Sequence, residues 1–139
     1  MEKSLVLIKP DAMQRRLAGA IVSRLEGEKL KLVALRMLHM NRALAERHYA
    51  IHAGKPFFKD LIDYITSTPI VATVFEGEGV VDKIRGIMGA TDPAKAEPGT
   101  IRKDFGLDIQ RNAVHGSDSP ETAEKEIKLF FADDEIFDY

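Results

Sequence analysis

The apolar run Leu5-Val6-Leu7-Ile8, which stops at Lys9-Pro10-Asp11, limits the possible folds more than any other stretch of the chain. A strand with one wet face alternates apolar and polar residues. A short run without alternation reads as a strand buried on both faces, and the turn signal after it marks its end. Such a strand belongs in the middle of a sheet, so the remaining residues must supply its neighbours and its cover.

They do so in a regular order. Leu17, Ile21 and Leu25, with Ala18 and Val22 beside them, recur at helical spacing up to Gly27, a residue suited to a helix terminus. The stretch from Leu30 to Met40, rich in Leu, Val and Met, predicts a second strand, and Asn41 a helix cap. Two short helices follow, from Ala43 to Ile51 and through Phe58, Leu61, Ile62 and Ile65; Gly54-Lys55-Pro56 separates them and Thr68-Pro69 ends the second. The β-branched and aromatic stretch from Ile70 to Phe75 is a third strand, and Val80, Ile84, Ile87 and Met88 mark a helix ending at Gly89.

From Ala90 to Gly99 the chain is poor in apolar residues and carries Asp92-Pro93 and Pro98-Gly99. Connections this long are more often functional than idle, which predicts a binding loop. A last strand is expected through Asn112 to His115. Ser119-Pro120-Glu121 then starts a helix with a cap, a proline in the first turn and an acid beside it; Ile127, Phe130 and Phe131 pack that helix, and the acidic Asp133-Asp134-Glu135 lies on the surface. The order predicts an α+β fold: a ferredoxin-like βαββαβ sandwich, with an antiparallel four-stranded sheet and helices packed on one face.

Composition removes several functions. At 139 residues one domain, residues 1–139, with a single core is expected. With 45% hydrophobic and 30% charged residues, no segment reads as disordered. A net charge of -2 argues against a general nucleic-acid or anionic-membrane surface, so any positive site must be focal. With no cysteine, disulfides, zinc-thiolate centres and thiol catalysis are excluded. The apolar run after Met1-Glu2-Lys3-Ser4 is too short for a signal peptide's hydrophobic region or a membrane span, which predicts a cytoplasmic protein.

The stretch Asn112-Ala113-Val114-His115-Gly116-Ser117-Asp118-Ser119-Pro120 sets an imidazole between an apolar strand and a turn that opens a helix. A histidine held there can present a neutral, nucleophilic nitrogen near pH 7, as a phosphate acceptor must; it could equally be a hydrogen-bonding corner residue. Transfer of a terminal phosphoryl group also needs cations on its oxygens and a means of holding the nucleotide. Lys9, Arg85, Arg102 and Thr91 could supply them, although each basic residue alone reads as a solvated surface charge. Phe57 could be a stacking platform or a core residue, whereas Phe58 reads as core. His48 and His52, four apart on a predicted helix, could grip a metal, but no third ligand stands near them in the sequence. His39 reads as a surface or strand-end residue.

Ile8-Lys9-Pro10-Asp11, Arg47-His48-Tyr49, Lys55-Pro56-Phe57-Phe58, Thr91-Asp92-Pro93, Pro98-Gly99-Thr100-Ile101-Arg102 and Arg111 to Ser119 together resemble nucleoside diphosphate kinases, in order and along the whole length. The resemblance implies transfer of the terminal phosphoryl group of a nucleoside triphosphate to a nucleoside diphosphate, by a ping-pong route through a phosphohistidine at His115 and with broad base specificity. It implies that Arg85, Thr91 and Arg102 contact phosphates, that Lys9 and Asn112 bind sugar hydroxyls, and that the base stacks on Phe57 with Ile109 as the opposite wall. Glu126 would orient the imidazole, with Ser117 and Tyr49 as supporting groups. Mg²⁺ would arrive with the nucleotide, without a dedicated metal cage in the protein. A homo-oligomer, tetramer or hexamer built from dimers, is implied too, with no nucleic acid or membrane as partner.

Ala12 and Gln110 stand where glycine is frequent in that family, a departure that matters only if either position needs a positive φ. Two other readings remain open. One is a nucleotide-binding module of the same fold without turnover. The other is an RNA-binding domain, which should carry aromatics within basic strand motifs.

Overall fold

The computed structural model describes all 139 residues. Its elements are β1 (Lys3–Ile8), α1 (Pro10–Gln14), α2 (Ala18–Gly27), β2 (Lys31–Leu38), α3 (Arg42–His48), α4 (Phe58–Ile65), β3 (Ile70–Glu76), α5 (Val80–Met88), α6 (Ile101–Phe105), β4 (Val114–Gly116) and α7 (Pro120–Phe130), with single 3₁₀ turns at Ala50–His52, Pro93–Lys95 and Asp133–Glu135. The sheet order is β2-β3-β1-β4, and every neighbouring pair is antiparallel. β1 lies between β3 and β4, as its uninterrupted apolar run requires. Its register pairs Leu7 with Ala72 on one side and with His115 on the other. The central strand thereby sets the height at which the histidine stands.

Helices cover both faces of the sheet, not one. Val6, Ile8, Val71 and Phe75 pack against Ile21 and Leu25 of α2 and Val80 and Ile84 of α5. Leu5, Leu7, Ala72 and Val74 pack against Ala45 of α3, Ile62 and Ile65 of α4, and Ile127 and Phe130 of α7. The single core expected from length is therefore two apolar layers divided by the sheet. Alternate residues of β1 enter opposite layers because strand side chains alternate in direction.

Local chemistry explains most element boundaries. Asn41 and Ser119 cap α3 and α7 by accepting the Leu44 and Thr122 amides, and Pro120 occupies the first turn of α7. Two helices go beyond the sequence expectation: α1, which begins at Pro10 where only a turn was predicted, and α6 after the long connection. Each has five residues, too few for periodicity to register. The fourth strand starts at Val114 and not at Asn112, because Ala113 has φ of 74° and turns the chain sharply, the Val114 amide donating to the Asn112 carbonyl at 2.9 Å. Neither Ala12 nor Gln110 has a positive φ, so the family's glycines are not needed at those positions. No helix is long and apolar enough to cross a membrane.

Candidate active site

The approach to β4 is held by a carboxylate from the far end of the chain. Asp11, buried at the start of α1, accepts the Ala113 amide at 3.0 Å and the Tyr64 hydroxyl, and Arg15 pairs with it at 3.3 Å. The positive φ at Ala113 is unfavourable for an alanine by about 1–2 kcal/mol, and the Asp11 bond helps to hold it. That turn delivers His115 to the floor of a cleft of about 680 Å³.

His115 is oriented from behind. Its Nε2 lies 3.1 Å from Glu126 Oε2, while Glu126 Oε1 accepts the buried Ser117 hydroxyl at 2.5 Å. An ionised carboxylate only accepts hydrogen bonds, so Nε2 carries the hydrogen. The neutral ring then keeps a lone pair on Nδ1. Burial by itself would raise the Glu126 carboxyl, but the His115 hydrogen bond and charge, the Ser117 hydroxyl and the His48 contact outweigh it and hold the group below the usual carboxylate range. Glu126 therefore stays anionic at neutral pH and can stabilise positive charge on the imidazole.

Three cations from distant segments meet in the same cleft. Lys9, buried where β1 passes into α1, donates to the Gln110 carbonyl at 2.6 Å and to Asn112 Oδ1 at 2.9 Å; burial brings its ammonium down to about 8. Arg102 of α6 is buried and donates to the Gly89 and Val114 carbonyls, both at 2.9 Å. Burial, then the charge of Arg85, lowers it to about 10, still cationic at neutral pH. Arg85 of α5 donates to the Asp118 carbonyl at 3.1 Å. Asn112 Nδ2 in turn donates to the carbonyls of Thr91 and Ile109, tying both flanking loops to the site.

Lys9, Arg85, Thr91, Arg102, Asn112, Ile109, Phe57, Tyr49 and His115 all line this cleft, and Glu126 and Ser117 stand directly behind His115. The long connection contributes Thr91 to the cleft. Phe57 is 48% exposed at the cleft mouth, with the His52 ring 5.4 Å away, although the spacing of Leu61, Ile62 and Ile65 alone would have buried it. Phe58 packs on the lower apolar layer. A hollow of about 780 Å³ between α2, α5 and Pro98–Thr100 is larger, but Ile87 is its one hydrophobic lining residue and no imidazole faces it.

Sequence spacing paired His48 with the wrong partner. His48 ends α3 buried, its ring centroid 4.6 Å from that of His115 and its Nδ1 3.8 Å from Glu126 Oε2. His52, one turn on, is half-buried beside Lys55 Nζ at 3.1 Å. Burial, then the neighbouring His115, pushes His48 down to about 3, so it is neutral throughout the physiological range. Asp11 also escaped the sequence reading, although it belongs to the quoted Lys9-Pro10-Asp11 motif; its partner Ala113 is 102 residues away.

Comparison with known proteins follows the same line. A family model described as "Nucleoside diphosphate kinase" matches residues 2–136. A nucleoside diphosphate kinase of Dehalococcoides mccartyi is 58% identical over all of this chain and 98% of its own length; one of Archaeoglobus fulgidus is 56% identical over all of this chain and 92% of its own. Among solved structures, the nucleoside diphosphate kinase of Halobacterium salinarum in complex with CDP superposes with a TM-score of 0.97 at 47% identity, covering 99% of this chain and 92% of that one. The enzyme of Aquifex aeolicus gives 0.95 at 40% identity, covering 98% and 99%.

Proposed function

The chain belongs to the nucleoside diphosphate kinase family, and on that premise we propose that His115 Nδ1 is the atom that carries the phosphoryl group between nucleotides. The reaction is transfer of the terminal phosphoryl group from a nucleoside triphosphate to a nucleoside diphosphate, in two half-reactions with a phosphohistidine between them. In the first, the Nδ1 lone pair attacks the terminal phosphorus in line, the bond to the bridging oxygen breaks, and the diphosphate leaves with that electron pair. A second diphosphate then attacks the phosphohistidine and the ring recovers its lone pair. The observation that carries this reading is the Glu126 contact at Nε2, which leaves Nδ1 as the basic nitrogen of a ring facing the cleft.

The other residues follow from their chemistry. Glu126 stabilises the charge the ring acquires on phosphorylation, Ser117 holds that carboxylate, and the Tyr49 ring, 6.5 Å from that of His115, walls the imidazole. Arg85, Arg102 and Thr91 bind the phosphate oxygens, with the buried guanidinium of Arg102 pre-oriented by its two carbonyl partners. Lys9 and Asn112 address the sugar hydroxyls. The base stacks on Phe57 against Ile109, a contact made with the base face, so specificity among bases is broad.

Asp118 is the only carboxylate among the cleft residues, a lining suited to Mg²⁺ that arrives on the phosphates and keeps most of its water. Bound there, the ion would neutralise the transferred group's oxygens. We further infer that the 139 residues act as one cytoplasmic domain, and that copies of it form a homo-oligomer, a reading supported by the edge strand β2 with Leu35 and Met37 exposed. Incubation with γ-labelled ATP and Mg²⁺ should leave acid-labile, base-stable phosphate on the protein, and a later addition of a deoxynucleoside diphosphate should discharge it. His115→Ala should take no label; labelling that survives this change would refute the assignment, and absence of label on the unmodified chain would favour a binding module.

A further inference from the structure

Both ring nitrogens of His48 are buried and have no hydrogen-bond partner in the protein. An orphaned buried polar atom costs about 1–3 kcal/mol, so a ring with two of them at a reaction centre calls for a ligand. The side chain has no exposed surface and is enclosed by Tyr49 and Phe130, at ring distances of 4.5 and 5.4 Å, and on its remaining side by His115 and Glu126. One donor atom from each of His48, His115 and Glu126 can be chosen so that all lie within 4.8 Å of one another.

We propose that His48, His115 and Glu126 form a binding site for a divalent cation of the zinc class, and that its occupation takes His115 out of phosphoryl transfer. Two donors on one tetrahedral zinc stand roughly 3.4 Å apart, from metal–ligand bonds of about 2.0–2.1 Å. The two contacts made by Glu126 Oε2, 3.1 Å to His115 Nε2 and 3.8 Å to His48 Nδ1, bracket that separation. Two imidazoles and one carboxylate form a donor set that suits zinc and its borderline-soft neighbours, whereas Mg²⁺ prefers oxygen donors throughout. Ser117 fixes the carboxylate from behind, as supporting groups do in metal sites. Neutral His48 needs no deprotonation to bind.

The inhibitory consequence rests on His115 being the phosphoryl acceptor; the binding itself does not. A metal on Nε2 displaces the hydrogen that Glu126 now accepts. Nδ1 takes up a proton from solvent in its place, and the lone pair that would attack phosphorus is gone. Mg²⁺ carried on the nucleotide and a metal behind the imidazole would therefore have opposite effects.

The test is titration of metal-free protein with ZnCl₂, followed by calorimetry in a non-coordinating buffer and by the ring ¹⁵N resonances of the histidines. One site per chain is expected, with the His48 and His115 rings shifting together and neither shifting with MgCl₂. Affinity should fall at least tenfold in His48→Gln and stay unchanged in His52→Gln. Phosphohistidine labelling in excess Mg²⁺ should decline along the same zinc curve and return with a zinc-selective chelator. An unmoved His48 ring in the unmodified protein, zinc affinity preserved in His48→Gln, or full labelling at saturating zinc would each overturn the proposal. Absence of labelling before zinc is added would refute the acceptor role of His115 instead, and the ring shifts would still decide the metal site.

Discussion

Burial does chemical work at single residues of this protein, and pH exposes it. Lys9 sits near 8 in the folded chain against an ordinary 10.5. Below pH 8 both folded and unfolded chains carry the ammonium and the folded state bears the whole desolvation cost. Between 8 and 10.5 the unfolded chain holds more protons, so stability rises with pH there while the cleft loses a positive charge. The affinity for a nucleoside diphosphate, measured by calorimetry, should accordingly weaken by up to about tenfold per pH unit above pH 8, and Lys9→Met should lack that slope. His48 behaves in the same sense at lower pH. It stays neutral down to about 3, whereas its unfolded counterpart protonates near 6.5, so its contribution is intact above 6.5 and is lost as pH falls. At pH 5 the loss is on the order of 2 kcal/mol. His52 is also lowered, through burial and Lys55, and adds in the same direction, so the informative comparison is with His48→Gln. Urea unfolding between pH 7 and 5 should show a shallower acid decline in that variant; an identical decline would contradict the burial argument.

The segment linking α5 to α6 shows how an element is positioned by a glycine. Gly89 has φ of 85°, its amide bonds back to the Arg85 carbonyl, and its own carbonyl receives Arg102. A Cβ there would come within 2.5 Å of Thr100 Oγ1, so the close packing of the loop ends excludes any side chain. Gly89→Ala should lower the unfolding free energy by about 2 kcal/mol and weaken nucleotide binding, because Thr91 and Arg102 hang on that turn; binding unchanged alongside lost stability would detach the turn from the site. Long elements with strong periodicity were legible from the residues alone: β1 to β3, α2, α4, α5 and α7 all stand where their patterns predict. The five-residue helices α1 and α6 were not, and the fourth strand was begun two residues early because nothing local marks Ala113 as left-handed. The run Leu5 to Ile8 had already announced cover on both faces, which a sheet with helices on one side cannot provide.

At the scale of the molecule, β2 ends the sheet with an open flank. Leu35 is 53% and Met37 64% exposed there, while the Phe137 amide and Tyr139 hydroxyl bond to the Val33 and Leu32 carbonyls at its beginning. An edge strand with exposed apolar residues is a natural place for copies of a chain to pair. The proposed pairing through β2 predicts that Met37→Glu lowers the mass measured by light scattering with the far-ultraviolet dichroism unchanged; a mass that does not move would refute that pairing.

The amino-acid sequence by itself determined the order of the strands and longer helices and pointed to the side chains that gather at the cleft, because periodicity, caps and motif chemistry are carried by neighbouring residues. Only the tertiary structure decided which histidine stands behind His115, which carboxylate holds the Ala113 turn and which side of the imidazole meets Glu126. Those outcomes depend on contacts such as Asp11 to Ala113 and Lys9 to Asn112, and on the exclusion of water from the space between them, and neither is written in any local stretch of the chain.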